Sequence, residues 1–264
     1  MSVEAPSAIA VVLYVISALC QWLRIKGKDI NKLFVQLLAL GGAVAQCFSL
    51  YYVIHPPEGI NLNFFAVASL SSWVVILIVL LSSIRKPVDN LLIVLLPMAV
   101  AAIASSDLIS ARHTILLDHS AGIISHIIIS IVAYSTMTVA AFQALLLAYQ
   151  EKHLKQHHPT GIIRAFPPMQ TMEKLLFEFL WAGLILLTLC LASGFAYLND
   201  MFAQHVAHKT IFGALAWILF ATLLAGRTFR GWRGRTAIRW TLSGFVFLML
   251  AFFGSKFVLD LVIN

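Results

Sequence analysis

Eight continuous apolar runs dominate this chain, near 6–24, 33–54, 64–84, 88–106, 119–150, 174–198, 208–228 and 237–260. A helix of roughly 20 apolar residues crosses a hydrocarbon core of about 30 Å. Backbone N–H and C=O groups meet no water there, so each run must pair them within itself. The ten-residue alternation of a membrane β-barrel is missing. The expected fold is therefore all-α, a polytopic transmembrane helical bundle of about eight spans. Composition agrees, with 61% hydrophobic and 11% charged residues, where a soluble domain has about 45–50% and about 25%. That balance excludes a soluble enzyme, a nucleic-acid binder and a disordered scaffold. The first run is read as a span rather than a signal peptide, because Glu4 and no basic residue precede it.

The net charge of +7 is informative through its placement. Arg24, Lys26, Lys28 and Lys32 lie between the first two runs, and Arg85 and Lys86 between the third and fourth. Lys152, Lys155, Arg164 and Lys174 follow the fifth run. Arg227, Arg230, Arg233, Arg235 and Arg239 follow the seventh. These 15 of the 18 basic residues share one side; Arg112, Lys209 and Lys256 fall on the other. Positive loops stay in the cytoplasm, so both termini are expected outside. The excess reports orientation and anchoring to membrane lipids, with no nucleic acid as partner. Trp22, Trp232 and Trp240 stand beside the basic clusters as interfacial anchors.

Connections are short. The longest, about 151–173, holds Pro167-Pro168 and is expected to break the chain before the sixth span. One membrane domain over 1–264 is the expectation. Cys20, Cys47 and Cys190 fall within spans with no C-x-x-C pair, as small apolar filler rather than a disulfide framework. The fifth run, near 32 residues, is longer than a bilayer requires.

Histidines carry the remaining chemistry. His153, His157 and His158 belong to the cytoplasmic turn, and His55 and His113 to outer loops. His126 stands among isoleucines inside the fifth span, where an ionisable group is costly and faces the bundle interior. Gly122, Ser130 and Tyr134 share its helical face. His208 opens the seventh span on the same outer side. Two neutral imidazoles on different helices suit a pair of axial ligands to haem iron. They equally suit a proton relay, or pairing with Asp118 or Asp200. A helix-packing histidine bonded to a hydroxyl across the bundle is the structural alternative.

Four segments carry a family resemblance: HIIISIVAY from His126 to Tyr134, FPPMQTMEKLLFEFLWAGLILLTLCLASG from Phe166 to Gly194, HKTIFGALAW from His208 to Trp217, and GWRGR from Gly231 to Arg235. Phe253-Gly254 completes them. In order and spacing the chain resembles the cytochrome c assembly superfamily of CcsA-, CcmC- and HemX-like membrane proteins, nearest its YpjD branch of Gram-negative inner-membrane proteins. The resemblance implies a multi-pass protein of the bacterial inner membrane that handles haem near the outer leaflet. It makes His126 and His208 the cofactor-binding and metal-ligating residues, with His119 and His205 matching less clearly. Haem-presenting members carry W-G-x-x-W-x-W-D between spans six and seven. Here Asn199 to Ala207 contains no tryptophan, which implies a protein that does not itself attach haem.

Two other functions compete with this one. One is a non-catalytic accessory subunit that assembles or regulates a membrane-protein partner such as a transporter; short loops and small-residue helix faces suit it. The other is an autonomous transporter, for which Asp107, Asp118, Asp200 and Asp260 at span ends and a single Pro97 give little. No nucleophile–base pair or H-E-x-x-H appears, so the chain leans away from enzymatic catalysis.

Overall fold

The computed structural model describes residues 4–56, 60–61, 63–108, 114–115, 121–155, 166–197 and 207–254. Eight α-helices account for most of them: α1 (Glu4–Ile25), α2 (Lys32–Ile54), α3 (Phe64–Ser83), α4 (Leu92–Leu108), α5 (Ala121–Lys155), α6 (Met169–Tyr197), α7 (Ala207–Arg230) and α8 (Gly234–Met249). Seven segments built on α1 to α7 are long and apolar enough to cross a membrane. The eighth helix has only 16 residues and runs on into a π-helical turn, Leu250–Gly254. Each expected apolar run corresponds to one helix. One boundary differs at α6, which starts at Met169 directly after Pro167-Pro168 rather than near 174. Proline lacks an N–H but tolerates a helix start, and the Pro168 carbonyl accepts from Thr171 and Met172. The proline pair therefore nucleates the helix and brings Glu173 and Lys174 into it.

The helices form two units. In the first, α1 to α4 run up and down, and α1 packs on both α2 and α4 to close the ring. Asn31 caps α2 by accepting from the Leu33 N–H at 2.9 Å, and Asn63 caps α3 through the Ala66 N–H at 2.7 Å. A two-residue antiparallel bridge pairs Ile60 with Ile115 and Asn61 with Thr114, tying two connections together. The outward faces are apolar, with Leu33, Phe34, Leu37 and Phe48 all exposed. Cys47 is exposed as well, so it is not core filler.

A set of polar groups inside this unit is matched across helices. The Tyr14 hydroxyl donates to Gln46 Oε1 at 2.7 Å, and Gln46 Nε2 donates to the Ser69 carbonyl at 3.1 Å and Ser72 Oγ at 3.2 Å. Such cross-helix bonds hold membrane helices together where no hydrophobic force separates protein from lipid. Gly42 makes room for Tyr14. A Cβ there would stand 2.5 Å from Tyr14 Cδ1, and the ring, fully buried and tethered to Gln46, cannot yield. Gly42→Ala should therefore cost about 2 kcal/mol by overpacking, seen as a lower thermal midpoint in detergent. Gly41→Ala, whose nearest neighbour would be Leu13 at 3.4 Å, should be near neutral.

At one end of the unit Asp89, almost buried, pairs with Arg24 and, at 3.3 Å, with Lys32. Its backbone carbonyl accepts from Gln21 Nε2 at 3.1 Å. One carboxylate thus joins the ends of α1 and α2 to the start of α4.

In the second unit α5 to α8 close a ring of the same cyclic order, with α5 bordering α6 and α8, and α7 lying diagonally opposite. Neighbours are antiparallel. Along α5 and α6, His126 meets Ser193, Ser130 meets Cys190, and Gln143 meets Met172. Gly183 gives space to Met137, whose Sδ would lie 2.8 Å from an added Cβ. At 35 residues, α5 is about 52 Å long.

The end of this unit opposite His126 is held by charge. Glu173 accepts from Arg227 at 2.8 Å and from the Gly234 N–H at 3.3 Å. Arg227 also donates to the Trp232 carbonyl at 3.2 Å. Gly231 and Gly234 have φ of +67° and +52°, a backbone region open to glycine at no steric cost. The GWRGR segment is therefore the tight α7–α8 turn. Trp232 lies against Trp240 with centroids 5.2 Å apart, and Lys26 of the first unit sits 3.7 Å over Trp22.

Candidate functional site

The His126 end of the second unit gathers the groups that sequence singled out, with additions. His126 is half-buried, one and a half turns into α5. Its Nδ1 lies 2.9 Å from Ser193 Oγ on α6, and its Nε2 lies 3.5 Å from Ser130 Oγ one turn along its own helix.

The hydroxyl protons are committed elsewhere. Ser193 donates to the Cys190 carbonyl at 2.9 Å, and Ser130 donates to the His126 carbonyl at 2.6 Å. The Cys190 thiol, 3.0 Å from Ser130 Oγ, then donates to that oxygen. Ser193 Oγ can therefore only accept, which assigns the imidazole proton to Nδ1. With that assignment Nε2 is the acceptor nitrogen, 3.5 Å from Ser130 Oγ. An imidazole oriented through one nitrogen, with the other free as a base, is the arrangement of a metal ligand.

Two turns deeper on α5, Tyr134 is buried and stacks on Phe252 with centroids 4.4 Å apart and planes within 10°. Phe245 lies tilted at 5.9 Å. Phe252 belongs to the π-helical turn that continues α8, a local irregularity of the kind frequent at functional sites. These rings pack on one another and form an apolar layer below the histidine.

His208 is in the first turn of α7, at the same end of the bundle as His126, but its side chain is outside the described residues. His119 and His205 are wholly outside them. The inward stripe of α7 runs through Gly213, Ala216 and Phe220, all buried, and one turn before Gly213 it reaches Lys209. Lys209 is half-buried and has no partner among the described residues. Trp217 on α7 donates to Thr188 on α6 at 2.8 Å and fixes the register between them.

Other histidines are engaged locally. His55 stacks on Tyr51 at 5.0 Å, and His153 Nδ1 lies 2.9 Å from the Tyr149 carbonyl. Among the described residues, no group of three or more His, Cys, Asp or Glu side chains gathers. Sequence reasoning placed Ser130 and Tyr134 on the face of His126, and its structural alternative, a histidine bonded to a hydroxyl across the bundle, matches the Ser193 contact, although Ser193 was not named as the partner. It counted Lys209 only as an outer charge.

The sequence profile of the Cytochrome C assembly protein family matches residues 34–263. Inner membrane protein YpjD of Escherichia coli strain K12 is 30% identical over 205 residues, 78% of each chain. A 28.8 kDa protein of Azospirillum brasilense is 33% identical over 141 residues, 53% of this chain and 52% of that one. Cytochrome c biogenesis protein CcsA of Guillardia theta is 23% identical over 150 residues, half of each chain. No solved structure matches the chain. With its apolar helices and its likeness to an inner membrane protein over most of its length, this chain is a multi-pass protein of the bacterial inner membrane and belongs to the cytochrome c assembly protein family.

Proposed function

We propose that this protein binds haem near the outer end of its second bundle and handles it there, without attaching it to a cytochrome. His126, through Nε2, and His208, at the same end of the diagonally opposite helix, would hold the iron. The observation that carries this is the half-buried His126 imidazole, with Nδ1 2.9 Å from Ser193 Oγ across the bundle and Nε2 3.5 Å from Ser130 Oγ. Haem is the group that a cytochrome c acquires, so the family's role in cytochrome c assembly supports the same ligand.

The residues at this end fit the group. An imidazole base suits iron, the apolar helices around it suit a hydrocarbon macrocycle, and a lysine stands on the inner face of α7. When bound, haem supplies a one-electron redox centre. The protein's part is to orient the ligand through Ser193 and to shield it with apolar helices. The tryptophan-free connection from Asn199 to Ala207 argues for handling rather than attachment. The charge distribution argues that both termini, and with them this end of the bundle, face outward.

The test is optical. Protein purified gently from haem-replete cells should show a Soret band that shifts on reduction with dithionite. A colourless preparation that also takes up no added haem would sink the proposal.

A further inference from the structure

We infer that Lys209 is a binding residue that receives a carboxylate of the bound tetrapyrrole. The inward stripe of α7 begins at Lys209 and ends five turns later at Arg227. The two cations are treated differently by the fold. Arg227 is paired with Glu173 at 2.8 Å and lies over the Phe177 ring at 4.6 Å. Lys209 has no carboxylate, hydroxyl or ring partner among the described residues. A half-buried ammonium with no counter-ion among the described residues is costly in an apolar bundle. Its place in the first turn of a helix adds to the cost, because that end of the helix carries a partial positive charge.

Depth links it to the histidine. Gly213 of α7 packs near Leu191 of α6, with Leu191 Cδ2 at 3.8 Å from where a Cβ would stand. Lys209, one turn before Gly213, is therefore level with the part of α6 one turn beyond Leu191. His126 meets α6 at Ser193, within that same turn. An imidazole base on α5 and an ammonium on α7 thus face the same end of one bundle from diagonal helices. A metal complex that carries carboxylates matches both, and haem has iron at its centre and two propionates at one edge. The inference takes its ligand from the haem reading, but its test has a readout without iron.

Protein in nanodiscs of neutral phosphatidylcholine, which offer no anionic headgroup, would be titrated with four probes. These are haem, haem dimethyl ester, iron-free protoporphyrin and protoporphyrin dimethyl ester. Wild type should prefer each free acid over its ester by about tenfold, the scale of one charge-assisted hydrogen bond. Lys209→Met should lose that preference with both pairs, and Lys209→Arg should keep it. Removing an unpaired charge should leave the thermal midpoint of ligand-free Lys209→Met equal or higher, whereas a merely structural lysine would lower it.

Undiminished discrimination in Lys209→Met overturns this inference and leaves the haem reading standing. If wild type discriminates protoporphyrin from its ester but gives no Soret band with haem, the iron reading falls and the role of Lys209 is supported. Failure of wild type to bind any of the four probes overturns both.

Discussion

His126→Ala should lower the haem content of the purified protein by at least tenfold, with the Soret band falling below detection. The effect is large because the substitution removes the electron pair that Ser193 orients. Ser193→Ala should act more gently, weakening haem affinity about 10- to 100-fold, the usual cost of losing a partner that orients a metal-bound histidine. Both variants should remain folded. Cross-helix hydrogen bonds inside membranes are worth about 0.6 kcal/mol on average, and His126 makes one such bond. Size-exclusion profiles in detergent would check the fold, and the absorbance ratio of Soret to protein would check the site. A normal Soret band in His126→Ala would remove this residue from the site.

Asp89→Ala should be the most destabilising single change in the first unit, by about 3 kcal/mol. Asp89 is almost buried and faces two cations. Its removal leaves Arg24 and Lys32 near each other without a counter-charge, where three helices meet. Glu151→Ala supplies the contrast. Glu151 pairs with Arg235 at 2.9 Å, but Arg235 is 64% exposed, and such pairs contribute at most about 1 kcal/mol. Thermal unfolding of both variants in one detergent would give the comparison. Equal midpoints would show that Asp89 is not the clasp of its unit.

The fold was legible because hydrocarbon permits so little. A run of apolar residues long enough to span must be a helix, so the segments emerged without alignment or structure. The ends were harder. At α6, charged residues and prolines read as a loop, yet Glu173 and Lys174 lie in the helix, since beyond the apolar core a charge no longer opposes helix formation. His126 was legible for a similar reason: an imidazole among isoleucines is conspicuous. Ser193 and Cys190 were not, because helical periodicity gives the face of one helix but not its register against another. Basic residues were legible as orientation signals, and that use concealed their second role. Arg24, Lys32 and Arg227 also close the helix ends through Asp89 and Glu173. Lys209 was hidden in the same count, one of three on the sparse side, although what sets it apart is a missing partner.

The short eighth helix bears on how the chain enters its membrane. α8 carries Arg235 and Arg239 near its start and passes at Leu250 into a π-helical turn. With two charges in its first turns, such a segment is a poor substrate for insertion by itself. Only Gly231, Trp232 and Arg233 separate it from α7, and the turn is fastened by Glu173 and Arg227. Insertion of α8 is thereby coupled to α7 as the second limb of a hairpin, so the last wall of the His126 bundle is put in place only after the helix that carries Lys209 and His208.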